Sequence, residues 1–222
     1  MTESRADAAE SWLWTSDAVL RGLNHEFSNR VSLARLAPQL LAMAEAGDRD
    51  MQRIAAAEGQ SDDMLQLLRL YRLLVFHTNE PAEPIIIADV LDDAVSLFNH
   101  HTIFRDIEIR VTPDATIPPV LLDPASLTQA LLLLFCAAAE LIGGAQGEGG
   151  VIELGYFATP DDVRVSAAVP VTGAAAPATE PPQLPALRYL IRDADGRVEV
   201  APDGVTMTLG SLLKLRRREK EG

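Results

Sequence analysis

The stretch LNHEFSNRVSLARL, Leu23–Leu36, decides the reading of this chain. Apolar residues recur at three- and four-residue steps through Leu20, Leu23, Phe27, Val31, Ala34 and on to Leu41, the period of a helix with one buried stripe. A histidine, an acid and an asparagine interrupt that pattern. His25 lies about 200° around the helix from Leu23, so it faces away from the stripe. Its neighbours three and four residues away are Arg21, Gly22, Ser28 and Asn29, none of them large and apolar. Two roles compete for such a residue: an ordinary surface histidine, or a chemical group. In the second role, a neutral imidazole nitrogen is a nucleophile near neutral pH and forms a phosphoramidate. Glu26 could then hold the ring or take its proton. Asn29 could donate to a phosphoryl oxygen, and Arg21 and Arg30 add positive charge within reach. The spacing permits this chemistry without proving it. A metal role lacks a second ligand at useful spacing, because His100 and His101 are adjacent and point apart on a helix.

Outward from this stretch, residues 8 to about 78 carry no strand signal and one proline, Pro38, expected to kink the first helix. Met64, Leu67, Leu68, Tyr71, Leu74 and Val75 repeat the helical spacing. Between the two segments Gly47 supplies a helix stop, with Asp48 or Asp50 as the next N-cap. A helical hairpin alone leaves an apolar stripe open on each helix, and a dimeric four-helix bundle is the economical cover. Trp12 and Trp14 are expected to cap the end of the bundle. His77 falls at the end of the second helix, where a cation suits the dipole.

After HTNEPAEP the period changes. IIIADVLDDAVSLFNHH reads as a short strand and a helix, and IEIRVTP as a strand. VLLDPASLTQALLLLFCAAAELIGG reads as a helix with Asp123 as N-cap, Pro124 in its first turn and Gly143-Gly144 at its end. GVIELGYFA and DVRVSAAVP are strands joined by TPDD, and Thr172 to Pro185 is a Pro/Ala-rich loop. ALRYLIRDADG is a short helix, and RVEVA with GVTMTLGSLLKL forms a last hairpin. The fold class expected is α+β. A helical-hairpin dimerisation domain over 1–80 precedes an α/β sandwich domain over 81–222, with one sheet, mostly antiparallel, and helices on one face.

The net charge of -13 disfavours duplex DNA and acidic membranes as partners. The C-terminal KLRRREKEG is expected to be a solvated tail. Cys136, the one cysteine, excludes an internal disulfide and reads as a small core residue. The apolar run from Ala130 is short and broken for a bilayer span, and the N-terminus lacks the pattern of a signal peptide. A cytoplasmic protein is expected.

The order of these elements is similar to a known one. H-E-F-x-N, His25 to Asn29, in the first helix of a hairpin resembles the phosphoacceptor box of two-component sensor histidine kinases, in particular the sporulation-phosphotransferase-like subgroup. PPVLLDPASLTQALLLL and the elements around it look like that family's ATP-binding domain, and the resemblance runs from about Asp17 to Leu213. The departures are informative. The resemblance puts asparagines that hold the nucleotide's Mg²⁺ where this chain has Leu133 and Ala137, which offer no oxygen ligand. It puts the adenine-binding aspartate where Val169 stands, keeps only Gly173 of the glycines that follow, and lacks the second glycine-rich turn before ALRYLIRDADG. The loop from Thr172 to Pro185 would replace the nucleotide lid.

The resemblance therefore implies a histidine phosphotransferase, with a degenerate ATPase-like domain and no autokinase activity. It would relay phosphoryl groups between receiver-domain aspartates. His25 would be the phosphoacceptor, supported by Glu26, Asn29 and Arg30. No cofactor is expected in this chain, Mg²⁺ being supplied by the partner receiver. The expected partners are response-regulator receiver domains, a hybrid histidine kinase and a second copy of the chain, with no nucleic acid and no membrane. The alternative is a non-catalytic pseudokinase scaffold that sequesters a regulator or kinase.

Overall fold

The computed structural model describes residues 4–42, 49–75, 81–112, 117–142, 149–170 and 179–221, the side chains of 33–42, 49–58, 60, 61 and 218–221 excepted. Its architecture is α+β: a helical N-terminal part, then an α/β sandwich. Helices α1 (Arg5–Ala42) and α2 (Arg49–Leu73) make the helical part, and α1 runs on through Pro38. Gly47, Asp48, His77, Gly143, Gly144 and Gly173 lie outside the described residues. Leu23, Leu67, Leu70 and Leu74 are buried, with Leu20, Phe27 and Tyr71 packed against them. Leu68 and Val75, which share the apolar spacing of α2, are instead 47% and 61% exposed, and Leu65 is 62% exposed.

In the sandwich, β1 (Glu83–Ile85) pairs antiparallel with β3 (Val120–Leu122) in a two-stranded sheet. The main sheet has five strands in the order β2-β4-β5-β7-β6, namely β2 (Ile107–Val111), β4 (Gly150–Ala158), β5 (Asp162–Ala168), β7 (Gly204–Gly210) and β6 (Arg197–Ala201). Two sheets replace the single sheet anticipated. The three residues of β3 end directly at a helix cap, so the run before the helix hides a strand too short to alternate. All pairs in the main sheet are antiparallel except β2–β4, where Ile109 lies beside Ile152 in parallel register. The chain crosses between those two strands through helix α4 (Pro124–Leu141), the kind of connection a parallel pair requires.

The turn TPDD closes as anticipated: Thr159 N donates to Asp162 O at 2.8 Å, and Asp162 N to Thr159 Oγ1 at 2.9 Å. Along β5 Val163, Val165 and Ala167 are buried while Arg164 is exposed, which turns one sheet face to the helices. Those helices are α3 (Ala88–Asn99), α4 and α5 (Leu184–Ile191). α5 begins inside the stretch expected as loop, with Pro185 in its first turn. At the start of α4, Asp123 Oδ1 accepts from Ser126 N at 2.9 Å, an N-cap. Every residue from Ala125 to Ala139 is buried, because the sheet, α3 and α5 enclose α4 on all sides. Its mean hydropathy of 1.5 over 18 residues reaches that of a membrane span, yet 83% of it is buried in protein, as befits a core helix.

The first half of α1 lies on this sandwich, a contact with no signature in local periodicity. Ser11 Oγ donates to Pro182 O at 2.6 Å and accepts from Ala186 N at 3.4 Å, at the first turn of α5. Trp12 Nε1 donates to Leu74 O at 3.2 Å, tying α1 to the end of α2. Gln129 Nε2 donates to Leu73 O and Val75 O, each at 2.7 Å, so α4 satisfies carbonyls at the end of α2. Trp14, instead of capping a bundle end, rests against His101 and Phe104 with ring centroids 5.9 and 6.3 Å away. Gly22 makes the close approach possible, because a Cβ there would lie 1.9 Å from His100 O.

The C-terminal stretch differs from the sequence reading, which has Ser211 to Leu215 in a hairpin strand and the basic run as a solvated tail. The strand ends at Gly210 and α6 (Leu212–Glu221) follows. Lys214 Nζ sits 3.0 Å from Asp162 and 2.6 Å from Asp195, and Arg217 pairs with Asp161. The sandwich's own carboxylates thus neutralise part of the basic run and fix the helix.

Candidate phosphoacceptor site

His25 lies midway along α1 and is exposed, as its position opposite Leu23 requires. Asp17, Arg21, Asn24, Ser28, Asn29 and Ser32 are exposed too, so this side of α1 is polar. Much of it is occupied internally. Arg21 pairs with Asp17 at 2.5 Å, and Ser28 and Ser32 return hydrogen bonds to Asn24 O and Ser28 O, each at 2.8 Å. Asn24 accepts from the Tyr71 hydroxyl of α2.

Asn29 Nδ2 stands 3.4 Å from His25 Nε2, one helical turn away as expected. An amide nitrogen only donates, so this contact is a hydrogen bond in the tautomer that carries the ring proton on Nδ1 and leaves the Nε2 lone pair to accept. That is the tautomer in which Nε2 is a nucleophile.

Glu26 and Arg30 lie on the neighbouring flank and point to each other. Arg30 Nε donates to Glu26 Oε1 at 2.7 Å and its Nη1 to Asp63 Oδ2 at 2.6 Å, which ties α1 to α2. The Glu26 hydrogen bond, then the Asp63 charge, hold the guanidinium pKa above its ordinary value. The structure therefore brings His25 and Asn29 together, and separately Glu26 and Arg30. The described hydrogen bond of Glu26 goes to Arg30 and not to the His25 ring.

A cavity of about 200 Å³ opens on that flank, lined by Glu26, Arg30, Asp63, Leu67, Asn99 and His100. Burial pushes the His100 pKa down, against the opposing pull of the Glu26 charge. His100 belongs to the surroundings of the site, and sequence alone set it aside as half of an adjacent pair on a helix. Both histidines in fact lie just past the end of α3 at Asn99, with His101 buried and His100 partly so.

The positions that the family resemblance assigns to a nucleotide look different. Leu133 and Ala137 are fully buried in α4, and Val169 is 6% exposed, its N–H donating to Asp203 O at 2.9 Å. Side chains without oxygen and without access to solvent do not fit a hydrated cation. Among the described residues no group of three His, Cys, Asp or Glu side chains is placed to hold a metal ion.

No protein-family model matches the chain. The sensor histidine kinase ZraS of Escherichia coli O157:H7 is 26% identical to it over 146 residues, 65% of this chain and 31% of that protein. ZraS of Escherichia coli strain K12 matches equally, over 30% of its length. The chain thus spans less than a third of the curated relatives it matches. Among solved structures, the mycobacterial sensor histidine kinase MprB overlaps with a TM-score of 0.41 and 17% identity, covering 59% of this chain and 97% of that one. A bacterial phosphotransferase overlaps with a TM-score of 0.40 and 15% identity, covering 94% and 98%. Overlaps this loose carry no argument of their own. In sequence over those 146 residues, and in the α+β order of its elements, this chain is similar to the core of a sensor histidine kinase.

Proposed function

We propose that the chain is a histidine phosphotransferase that relays phosphoryl groups to and from receiver-domain aspartates without binding ATP. The observation that carries this reading is His25, exposed in midhelix with its lone-pair nitrogen facing Asn29. In the accepting step the Nε2 lone pair forms the N–P bond while the P–O bond to the receiver's aspartate breaks. The carboxylate leaves with the bonding pair, and the Nδ1 proton of the resulting imidazolium passes to solvent. The receiver brings the aspartate and its Mg²⁺, so this chain needs only the histidine, a donor for the phosphoryl oxygens and a docking surface. Asn29 is that donor once phosphorylation replaces its contact with Nε2. Glu26 and Arg30 act as a pair that fixes α1 against α2.

Two features favour the absence of ATP binding. Leu133, Ala137 and Val169 present apolar side chains where the family resemblance requires ligands. The first turn of α5, where a glycine-rich phosphate loop would sit, is taken by Ser11 of α1. The chain then divides by role into a phosphotransfer part over 1–80 and a docking part over 81–222. The exposed Leu65 and Leu68 on α2, with Val75 just past its end, favour a homodimer closed through that helix. A cytoplasmic location suits these partners.

Phosphorylated receiver domains from the same genome, mixed with the wild type and with His25→Ala, test the reading. Acid-labile phosphate on the wild type alone is the expected result. Binding without transfer from any receiver would sink it. The second reading, a non-catalytic scaffold that binds a regulator or kinase, is favoured by one observation: Arg30 is fully engaged with Glu26 and Asp63, leaving little charge free for a phosphoryl group.

A further inference from the structure

His101 sits where α1 meets the sandwich. Its ring is fully buried, stacked on Phe104 with centroids 4.4 Å apart and an interplanar angle of 10°, and Trp14 of α1 covers it at 5.9 Å. Neither ring nitrogen has a hydrogen-bond partner among the described residues. The next residue, Thr102, donates its N–H to Ala18 O of α1 at 3.4 Å, and the preceding carbonyl, His100 O, is the atom that Gly22 of α1 approaches. One short segment after α3 therefore touches α1 at Trp14, Ala18 and Gly22, a line of contacts that ends three residues before His25. Thr15 Oγ1, on the same stretch of α1, is also buried without a partner among the described residues.

We propose that His101 is an acid-sensitive latch, holding the first half of α1 on the sandwich while its ring is neutral and releasing it when the ring gains a proton.

Burial disfavours a cation in this place. The walls are Trp14, Phe104 and, behind Phe104, Phe98, with ring centroids 6.2 Å apart, and Phe98 in turn meets Phe135 of α4. The charged groups of the surrounding elements are turned elsewhere. Asp17 and Arg21 of α1 pair with each other in solvent, as do Arg105 and Asp106 of the following loop. Asp93 of α3 pairs with Arg69 of α2, Glu140 and Cys136 lie on α4, and His100 faces the Glu26 cavity. Among the described residues no carboxylate stabilises a proton on His101, and burial pulls its pKa from 6.5 to about 4. When α1 lifts, the ring meets water and returns toward 6.5. The lifted state then binds more protons, so docking is at full strength above 6.5 and weakens as the pH falls toward 4. With those two limits the docked-to-lifted ratio falls about ten-fold between about pH 7.5 and about pH 5.5.

The device rests on the proposed function only for its purpose, which is to free the helix that carries His25. Its test does not use phosphotransfer. Hydrogen exchange of the full-length protein, corrected for intrinsic rates, is compared at the two pH values for wild type and His101→Phe, with His101→Leu as a second variant. The expected result is about ten-fold lower protection at Thr102 in the wild type at the acid pH, none in the variants, and unchanged protection in β5 and β7. The same acid loss in a folded variant, or no loss in the wild type, overturns the latch. An acid loss that includes β5 and β7 also overturns it, because the whole fold would then be opening. Failure of transfer at His25 would leave these outcomes untouched.

Discussion

A Cβ at Gly22 separates packing from propensity. In a helix interior Gly→Ala ordinarily stabilises by about 1 kcal/mol. At Gly22 the added carbon would lie 1.9 Å from His100 O and 2.8 Å from His100 C, both backbone atoms that cannot swing aside. α1 must lift, losing the Ala18–Thr102 hydrogen bond, worth about 1 kcal/mol, and part of the Trp14 contact, with a strain of order 2 kcal/mol for the misfit. Against the propensity gain, the net effect of Gly22→Ala is a destabilisation of about 2 kcal/mol. Gly59 of α2 is the internal control. It is exposed, and nothing lies within 4 Å of the Cβ it would gain. Gly59→Ala is expected to stabilise by up to about 1 kcal/mol. Urea denaturation followed by circular dichroism compares the two variants, whose stabilities should differ by about 3 kcal/mol. A Gly22→Ala protein as stable as the wild type would refute the close approach of α1 to the end of α3.

Tyr156 keeps its phenol oxygen buried without a partner among the described residues, and burial pushes its pKa up to about 12. A raised phenol pKa favours the neutral form, so this contribution is full below 10 and is lost as the pH climbs to about 12. Ultraviolet titration should find a tyrosine ionising that late, and Tyr156→Phe should remove it without loss of stability, since no hydrogen bond is forfeited. The Cys136 thiol is fully buried and its pKa is pushed up by burial, then by the Glu140 charge. It should resist a thiol-reactive dye in the native protein and react only at the rate of unfolding, and fast native labelling would contradict the enclosure of α4.

Much of the fold is legible where local chemistry is explicit. Asp123-Pro124 announces α4 to the residue, TPDD joins β4 to β5, and the alternation of DVRVSAA gives β5 its buried face. The site is legible in the same degree: helical spacing alone puts His25 in solvent and Asn29 beside it. What escapes is every contact between distant segments. Ser11 at α5, Trp14 on His101 and the salt bridge from Arg30 to Asp63 join residues whose sequence neighbours carry no trace of the partner. For Glu26 the helical pair at the fourth residue, Arg30, competes with the adjacent imidazole and takes its carboxylate. One signal was available in advance. A glycine inside an otherwise regular helical pattern, as at Gly22, costs stability unless something packs closely against it.

A long stiff rod with its tightest contact at one point behaves as a lever. From Gly22 to Trp14 the arm is about 12 Å, and from Gly22 to Ala42 it is about 30 Å at the rise of a helix. A load applied to the far end works against the aromatic contact with a mechanical advantage of about 2.5. A pull on the distal end of α1 is therefore multiplied against the contact of Trp14 with Phe104, and a tilt of 1 Å at Trp14 is magnified to about 2.5 Å at Ala42.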